Sequence, residues 1–168
     1  CSVLLFSDPH VKPKPIHRIH CTVEYEKEDQ LTIQLAIEIA YWASAIDIYF
    51  THSFKKPEWH EKQSTLLSPD HFKKVYQMED RKLKEFLSNF AFYGMNFSAR
   101  TLYEKNRFVT LDFTKEVKAD LMIVSGPKNR LGLWDRLFPH EIELALQNLP
   151  CSLLVAKSSP GALLDVKE

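Results

Sequence analysis

Chemistry in this chain could be done by a glycine-ended strand, two glutamate pairs, three well-placed histidines and three cysteines. The glycine-ended strand is the most informative. Within Ala119–Lys157, the run Asp120–Ser125 is apolar without alternation, as expected of a parallel strand covered on both faces. Gly126 ends that run, a helix is predicted from near Pro139 to Leu149-Pro150, and Ser152–Ala156 forms a second buried strand. In open α/β sheets, anions collect where loops leave the carboxyl ends of strands and helix N-termini present free N–H groups. Any phosphate would therefore sit between Gly126 and the helix start at Pro139. Each residue also has a plain structural reading, Gly126 as a strand terminator and Pro139 as a first-turn proline with Glu141 and Glu143 behind it.

The other candidates lead to no reaction. His17 and His20 lie three apart on a strand and face opposite sides, so they cannot share a metal. His52 is expected at the carboxyl end of a strand, near the crevice, as a ligand candidate or a solvated terminal residue. The pairs Glu24/Glu26 and Glu141/Glu143 lack a nucleophile, a metal cluster or an oxyanion motif and read as solvated charges. Cys1, Cys21 and Cys151 are an odd number without metal-type spacing, as expected of reduced core thiols. Trp59 and Trp134 read as loop or helix-edge aromatics, and Trp134 suits an interface. No catalytic or metal site is expected.

The elements that must position these residues follow from pattern and punctuation. The 168 residues suit one domain with a real core, 45% apolar and 26% charged, with no formal net charge. That balance argues against a nucleic-acid partner, since phosphate neutralisation needs a surplus of Lys and Arg. No apolar run approaches the roughly 18–20 residues of a membrane span. The chain does not begin with Met and carries nothing resembling a signal peptide, which suggests a piece of a longer protein.

Residues 1–15 are expected to be an end strand, CSVLLF, and a Pro- and Lys-containing linker; CSVLLF echoes CSLLVA at 151–156. The main domain spans 16–157, with a tail at 158–168. Within it, Ile16–Glu24 is a predicted strand. Asp29 can cap a helix whose apolar face carries Leu31, Leu35, Ile39 and Trp42. Ile46–Phe50 is a buried strand, and Lys55–Leu67 a long loop or lid. Ser68-Pro69-Asp70 opens an amphipathic helix with Phe72, Val75, Tyr76, Leu83, Phe86, Leu87 and Phe90 on one face, broken by Gly94. Phe97–Tyr103 is a strand and Val109–Lys118 a short helix. The alternation predicts a doubly wound α/β domain: a five-stranded, mostly parallel sheet with helices on both faces.

This order of elements, the ADLMIVSG strand and the closing LPCSLLVAK resemble the universal stress protein family from about Ile16 to Lys157. The resemblance implies an adenine nucleotide alpha hydrolase-like fold. In nucleotide-binding relatives, a loop of Gly, two residues, Gly, nine residues and Gly-Ser/Thr cradles the ATP phosphates, and the Asp region ending the first strand holds the adenosine. Here Gly126 matches the first glycine, Asn129 replaces the second, and Pro139-His140 replaces Gly-Ser/Thr. Val23-Glu24 stands at the first-strand position, with Glu24 for the Asp and Tyr25-Glu26 following instead of small residues. Asn tolerates left-handed geometry, whereas proline has no N–H to offer, and His140 removes a small hydroxyl. Losing two hydrogen bonds to charged oxygens, at roughly 1.5–3 kcal/mol each, costs on the order of 10²- to 10⁴-fold in affinity. Lys128, Arg130 and Arg136 restore charge without the grip of a loop of amides.

The resemblance then implies a non-catalytic regulatory or interaction domain with a degenerate nucleotide loop. Such a domain belongs to a cytoplasmic stress protein or to the cytosolic tail of a cation/proton antiporter or similar transporter. No cofactor is expected; the alternative is an adenine-nucleotide sensor binding ATP or AMP. An enzyme of the adenylyltransferase type is disfavoured because no HIGH-like or glycine-rich motif follows the first strand. Relatives pair through their closing strands, as homodimers or tandem domains. Val3–Phe6 is accordingly expected as an extra edge strand beside Ser152–Ala156, or beside that strand of a second copy.

Overall fold

The structure is a computed structural model describing residues 2–7, 14–55, 69–105, 108–126 and 149–157. Six strands and three helices are present in these residues: β1 Val3–Leu5, β2 Arg18–Thr22, α1 Lys27–Ala43, β3 Asp47–Phe54, α2 Pro69–Leu87, β4 Phe97–Tyr103, α3 Val109–Glu116, β5 Leu121–Ser125 and β6 Ser152–Ala156. They form one sheet in the order β1-β6-β5-β2-β3-β4. All neighbours are parallel except β1, which runs antiparallel to β6. The chain steps outward from β2 through β3 to β4, and α3 then carries it back to β5 on the other side of β2. The topological switch point therefore lies between β2 and β5, where the doubly wound fold opens a crevice.

Alternation along the strands divides the core into two layers. Ile19, Cys21, Ile48, Phe50, Leu121 and Ile123 face α1 and α2 and pack with Ile33, Ala36, Ile37, Ala40, Leu83 and Leu87. Met122, Val124, Leu153 and Val155 face the opposite side and pack with Leu111 of α3. The expected extra edge strand is there: Val3, Leu4 and Leu5 pair with Val155, Leu154 and Leu153.

Several sequence expectations need correction. The face of α1 that meets the sheet carries Thr32, Ile33, Ala36, Ile37 and Ala40, while Trp42 is 82% exposed. The alanines let the helix lie close to the sheet, and Leu35 and Ile39 only flank the contact. Asp29 does not cap α1; Glu26 is the cap residue and Asp29 sits three positions on, fully buried. The first main-domain strand stops at Thr22. β3 continues to Phe54, so His52 lies inside a strand rather than at its end. α2 ends at Leu87, before Gly94, which occupies a turn with φ +77°. The predicted lid from 56 to 67, the tail at 158–168, Trp59, Trp134 and the helix from Pro139 lie outside the described residues.

Candidate functional site

The carboxyl ends of β2 and β5 meet two short segments, the turn Val23–Glu26 into α1 and the start of the loop after β5. Of the seven candidate nucleotide-loop positions, Val23, Glu24 and Gly126 are brought together at this switch point. Lys128, Asn129, Pro139 and His140 lie outside the described residues.

Gly126 is committed to the sheet. Its N–H donates to the carbonyl of Ala156 at 2.5 Å, and a Cβ at this position would lie 3.0 Å from that same oxygen. Close backbone approach to β6, rather than a left-handed conformation, is what crowds a side chain here. The amide is thus engaged inside the protein.

Beside β5, the turn that leads into α1 is tied down by a carboxylate from the helix's first turn. Asp29 accepts hydrogen bonds from the Glu24 N–H at 2.7 Å and the Glu26 N–H at 3.0 Å. The Ser125 hydroxyl, at the end of β5, donates to its other oxygen at 2.6 Å. Thr32 Oγ1 lies 2.8 Å from Ser125 Oγ and completes the group. Asp29 is the third helical residue and reaches back to the cap amide and the turn before it, as the second half of a capping box. One carboxylate ties together β2, α1 and β5. Val23 is also engaged, its N–H donating to Thr51 and its carbonyl accepting from His52 Nδ1 at 2.8 Å.

Tyr25 fills the neighbouring space toward α2. Its backbone is left-handed, with φ 62°, which is uncommon for a bulky residue. The ring lies 4.2 Å, centroid to centroid, from that of His52 and meets Phe86 edge-on at 5.5 Å. Lys82 Nζ stands 4.0 Å over the ring, a cation–π contact. Burial, with the Glu79 and Glu24 carboxylates nearby, pushes the phenol well above its ordinary titration range. His52 Nε2 in turn faces Glu79 Oε2 at 3.8 Å.

His20, fully buried, is held between two hydroxyls. His20 Nδ1 and Nε2 lie 2.7 Å from the hydroxyls of Thr114 and Thr51. The Thr114 proton is directed at the Thr110 carbonyl, so Nδ1 carries the ring proton and Nε2 accepts from Thr51. Full burial lowers the His20 pKa to about 3 and keeps it neutral. Cys21 and Cys151 are free and buried, and burial raises both thiols, Cys151 to about 12. No group of three or more potential metal ligands occurs among the described residues. No helix there is long and apolar enough to cross a membrane.

Asp29, Ser125, Tyr25, Glu79 and Lys82 were not legible as site residues. The spacing Glu26-x-x-Asp29 was the available signal for Asp29, since an acidic residue three places after a cap reaches back to the cap amide. Nothing in the sequence marks Tyr25 as left-handed.

A mostly parallel sheet with helices on both faces and a crevice at the β2/β5 switch point defines a doubly wound α/β domain. More particularly, the fold is that of the universal stress proteins. A universal stress protein family structure from Burkholderia pseudomallei is 14% identical with a TM-score of 0.61, covering 88% of this chain and 100% of that one. A universal stress protein from Archaeoglobus fulgidus is 12% identical with a TM-score of 0.62 over 95% of this chain, which spans 50% of that longer protein. A universal stress protein in complex with cAMP is 12% identical with a TM-score of 0.56, covering 87% of this chain and 100% of that one. At such identities the likeness is one of fold. No family model and no curated protein sequence matches the chain.

Proposed function

We propose that this is a non-catalytic regulatory or interaction domain of universal-stress-protein type whose nucleotide crevice is closed by the protein's own groups. The observation that carries this reading is Asp29, which takes the Glu24 and Glu26 amides and the Ser125 hydroxyl. A phosphate entering at α1 would have to displace a buried carboxylate from three hydrogen bonds, each worth roughly 1.5–3 kcal/mol to a charged group. The engaged amide of Gly126, and Asn129 and Pro139-His140 in place of the usual glycines and small hydroxyl, work in the same direction.

The partner in this reading is a second body of the same fold, met across the closing strand, either a homodimer mate or a tandem domain in a stress protein or transporter tail. Its support is the β1–β6 register. Aligning CSVLLF with CSLLVA matches Leu4 to Leu154, and these two are the central antiparallel pair. β1 thus meets β6 as a copy of β6 would, about a local two-fold axis. The universal stress proteins of twice this length are consistent with such tandems.

The second reading, an adenine-nucleotide sensor with an altered loop, is favoured by the related fold solved with cAMP. Lys128, Arg130 and Arg136 would supply its charge. Calorimetric titration with ATP, ADP, AMP and cyclic AMP decides between them. The first reading expects no heat of binding at micromolar concentrations; micromolar affinity for any of the four replaces it with the second.

A further inference from the structure

β6 is held unequally on its two sides. Toward β5 it pairs along its whole length, from Ser152 with Leu121 to Ala156 with Ser125. Its other side takes β1 over Val3, Leu4 and Leu5 alone. Natural sheets guard an open edge with charges, prolines or bulges. The strand Ser152–Ala156, SLLVA, carries no charged residue and no proline. β1 covers it with apolar residues that themselves remain in solvent, Val3 at 50%, Leu4 at 45% and the following Phe6 at 66% exposure.

The register tells what β1 stands in for. A second β6 turned about Leu154 would set Leu154 against its own copy, Leu153 against Val155 and Ser152 against Ala156. With CSVLLF aligned to CSLLVA, Val3, Leu4 and Leu5 occupy the places of Leu153, Leu154 and Val155 of that second strand, pair for pair. The end of the seam obeys the same rule. The Lys157 N–H donates to the Ser2 hydroxyl at 3.3 Å, and Ser2 is the counterpart of Ser152. Two strands with one register on one edge exclude each other. A second β6 would engage all of Ser152–Ala156, which favours it over the shorter β1. β1 has the advantage of its tether, which for a short flexible link is equivalent to a concentration on the order of 1 mM.

We propose that β1 is a built-in cap on a docking edge for a second copy of this chain. With β1 in place the chain is monomeric; with β1 displaced, the β6 strands of two copies pair antiparallel about Leu154 and join two sheets into one. The inference rests on the closing strand being the partner surface, and it makes the homodimer and the β1–β6 pairing alternatives. Nucleotide titration tests the closed crevice separately, so either idea can fail without the other.

The test is sedimentation velocity on the whole chain, from about 1 µM up to the tether's equivalent of about 1 mM. Leu4→Pro removes an N–H and a conformation that a paired strand needs, and Leu4→Asp puts a charge at the central contact. Both changes lie on the edge strand, outside the five parallel strands. Each variant should dimerise with a dissociation constant at least about tenfold below that of the unaltered chain, the step that a lost tethered competitor gives. In a mixture of differently labelled chains, NMR should then place Leu154 of one copy against Leu154 of the other. Any dimer of the unaltered chain should lose hydrogen-exchange protection at Val3–Leu5 as it forms. Folded variants no more dimeric than the unaltered chain, a variant dimer without the Leu154 contact, or an unaltered dimer that keeps β1 protected would each overturn the proposal. If Leu4→Pro fails to fold, Leu4→Asp carries the same test.

Discussion

His20 and His52 sit on adjacent parallel strands and point to opposite faces of the same sheet, yet their surroundings ask opposite things of them. His20 meets two threonine hydroxyls at 2.7 Å, one accepting and one donating, so its neutral form is complete and its charged form has no counter-ion. His52 is only partly buried: its Nδ1 donates to the Val23 carbonyl at 2.8 Å and its Nε2 lies 3.8 Å from a Glu79 carboxylate oxygen. A histidine closed between two hydroxyls is thus held neutral, whereas one beside a carboxylate has a counter-ion within reach. Burial alone does not decide between them.

The comparison can be broken most directly at His20. His20→Ala should cost about 3–5 kcal/mol, because it leaves a cavity and strips the Thr51 and Thr114 hydroxyls of their partner. Urea unfolding measures this, and a loss below about 1 kcal/mol would mean the ring is not structural. Asp29→Asn comes next. It keeps the shape but weakens charge-assisted bonds from two amides and one hydroxyl, for an expected loss of about 2–3 kcal/mol. It also lightens the electrostatic block at α1, so nucleotide titration of this variant sharpens the functional reading.

Acid should destabilise through His20. Its folded pKa, about 3, lies below the ordinary value near 6.5, so the unfolded chain takes the proton first. This contribution is complete above about pH 6.5 and is lost as pH falls through the window toward 3, at up to about 1.4 kcal/mol per unit. Denaturation midpoints at pH 7, 6, 5 and 4 trace it. Glu79→Gln removes a carboxylate 3.8 Å from His52 and should change stability by less than about 1 kcal/mol in the same urea measurement, the smallest effect of the four.

How far the sequence carried this picture depended on what each pattern encodes. Phe97–Tyr103 and Ser152–Ala156 were bounded correctly because turn residues punctuate the chain on either side, Gly94 before the first and Pro150 before the second. The pairing of Val3–Leu5 with β6 was legible from a six-residue echo. In α1, Leu31, Ile33, Leu35, Ile37 and Ile39 wrap most of the helix, so periodicity could not select the face. Ala36 and Ala40 selected it, by allowing close approach. The β2/β5 switch point was legible too, since topology fixes where strand ends converge. Its contents were not. Tyr25 is left-handed without being Gly or Asn, and Asp29 gains its role only once Ser125, far away in sequence, is beside it.

The antiparallel seam between β1 and β6 also has a mechanical meaning. Val3, at the leading end of β1, lies opposite Val155, near the trailing end of β6. Tension applied through the chain on either side of the domain would therefore arrive at one end of that seam and open it bond by bond, like a zipper, instead of loading all its bonds in shear. β1 should peel away at low force and leave the five parallel strands standing, so the edge they share with it could be bared by a pull too weak to unfold the domain.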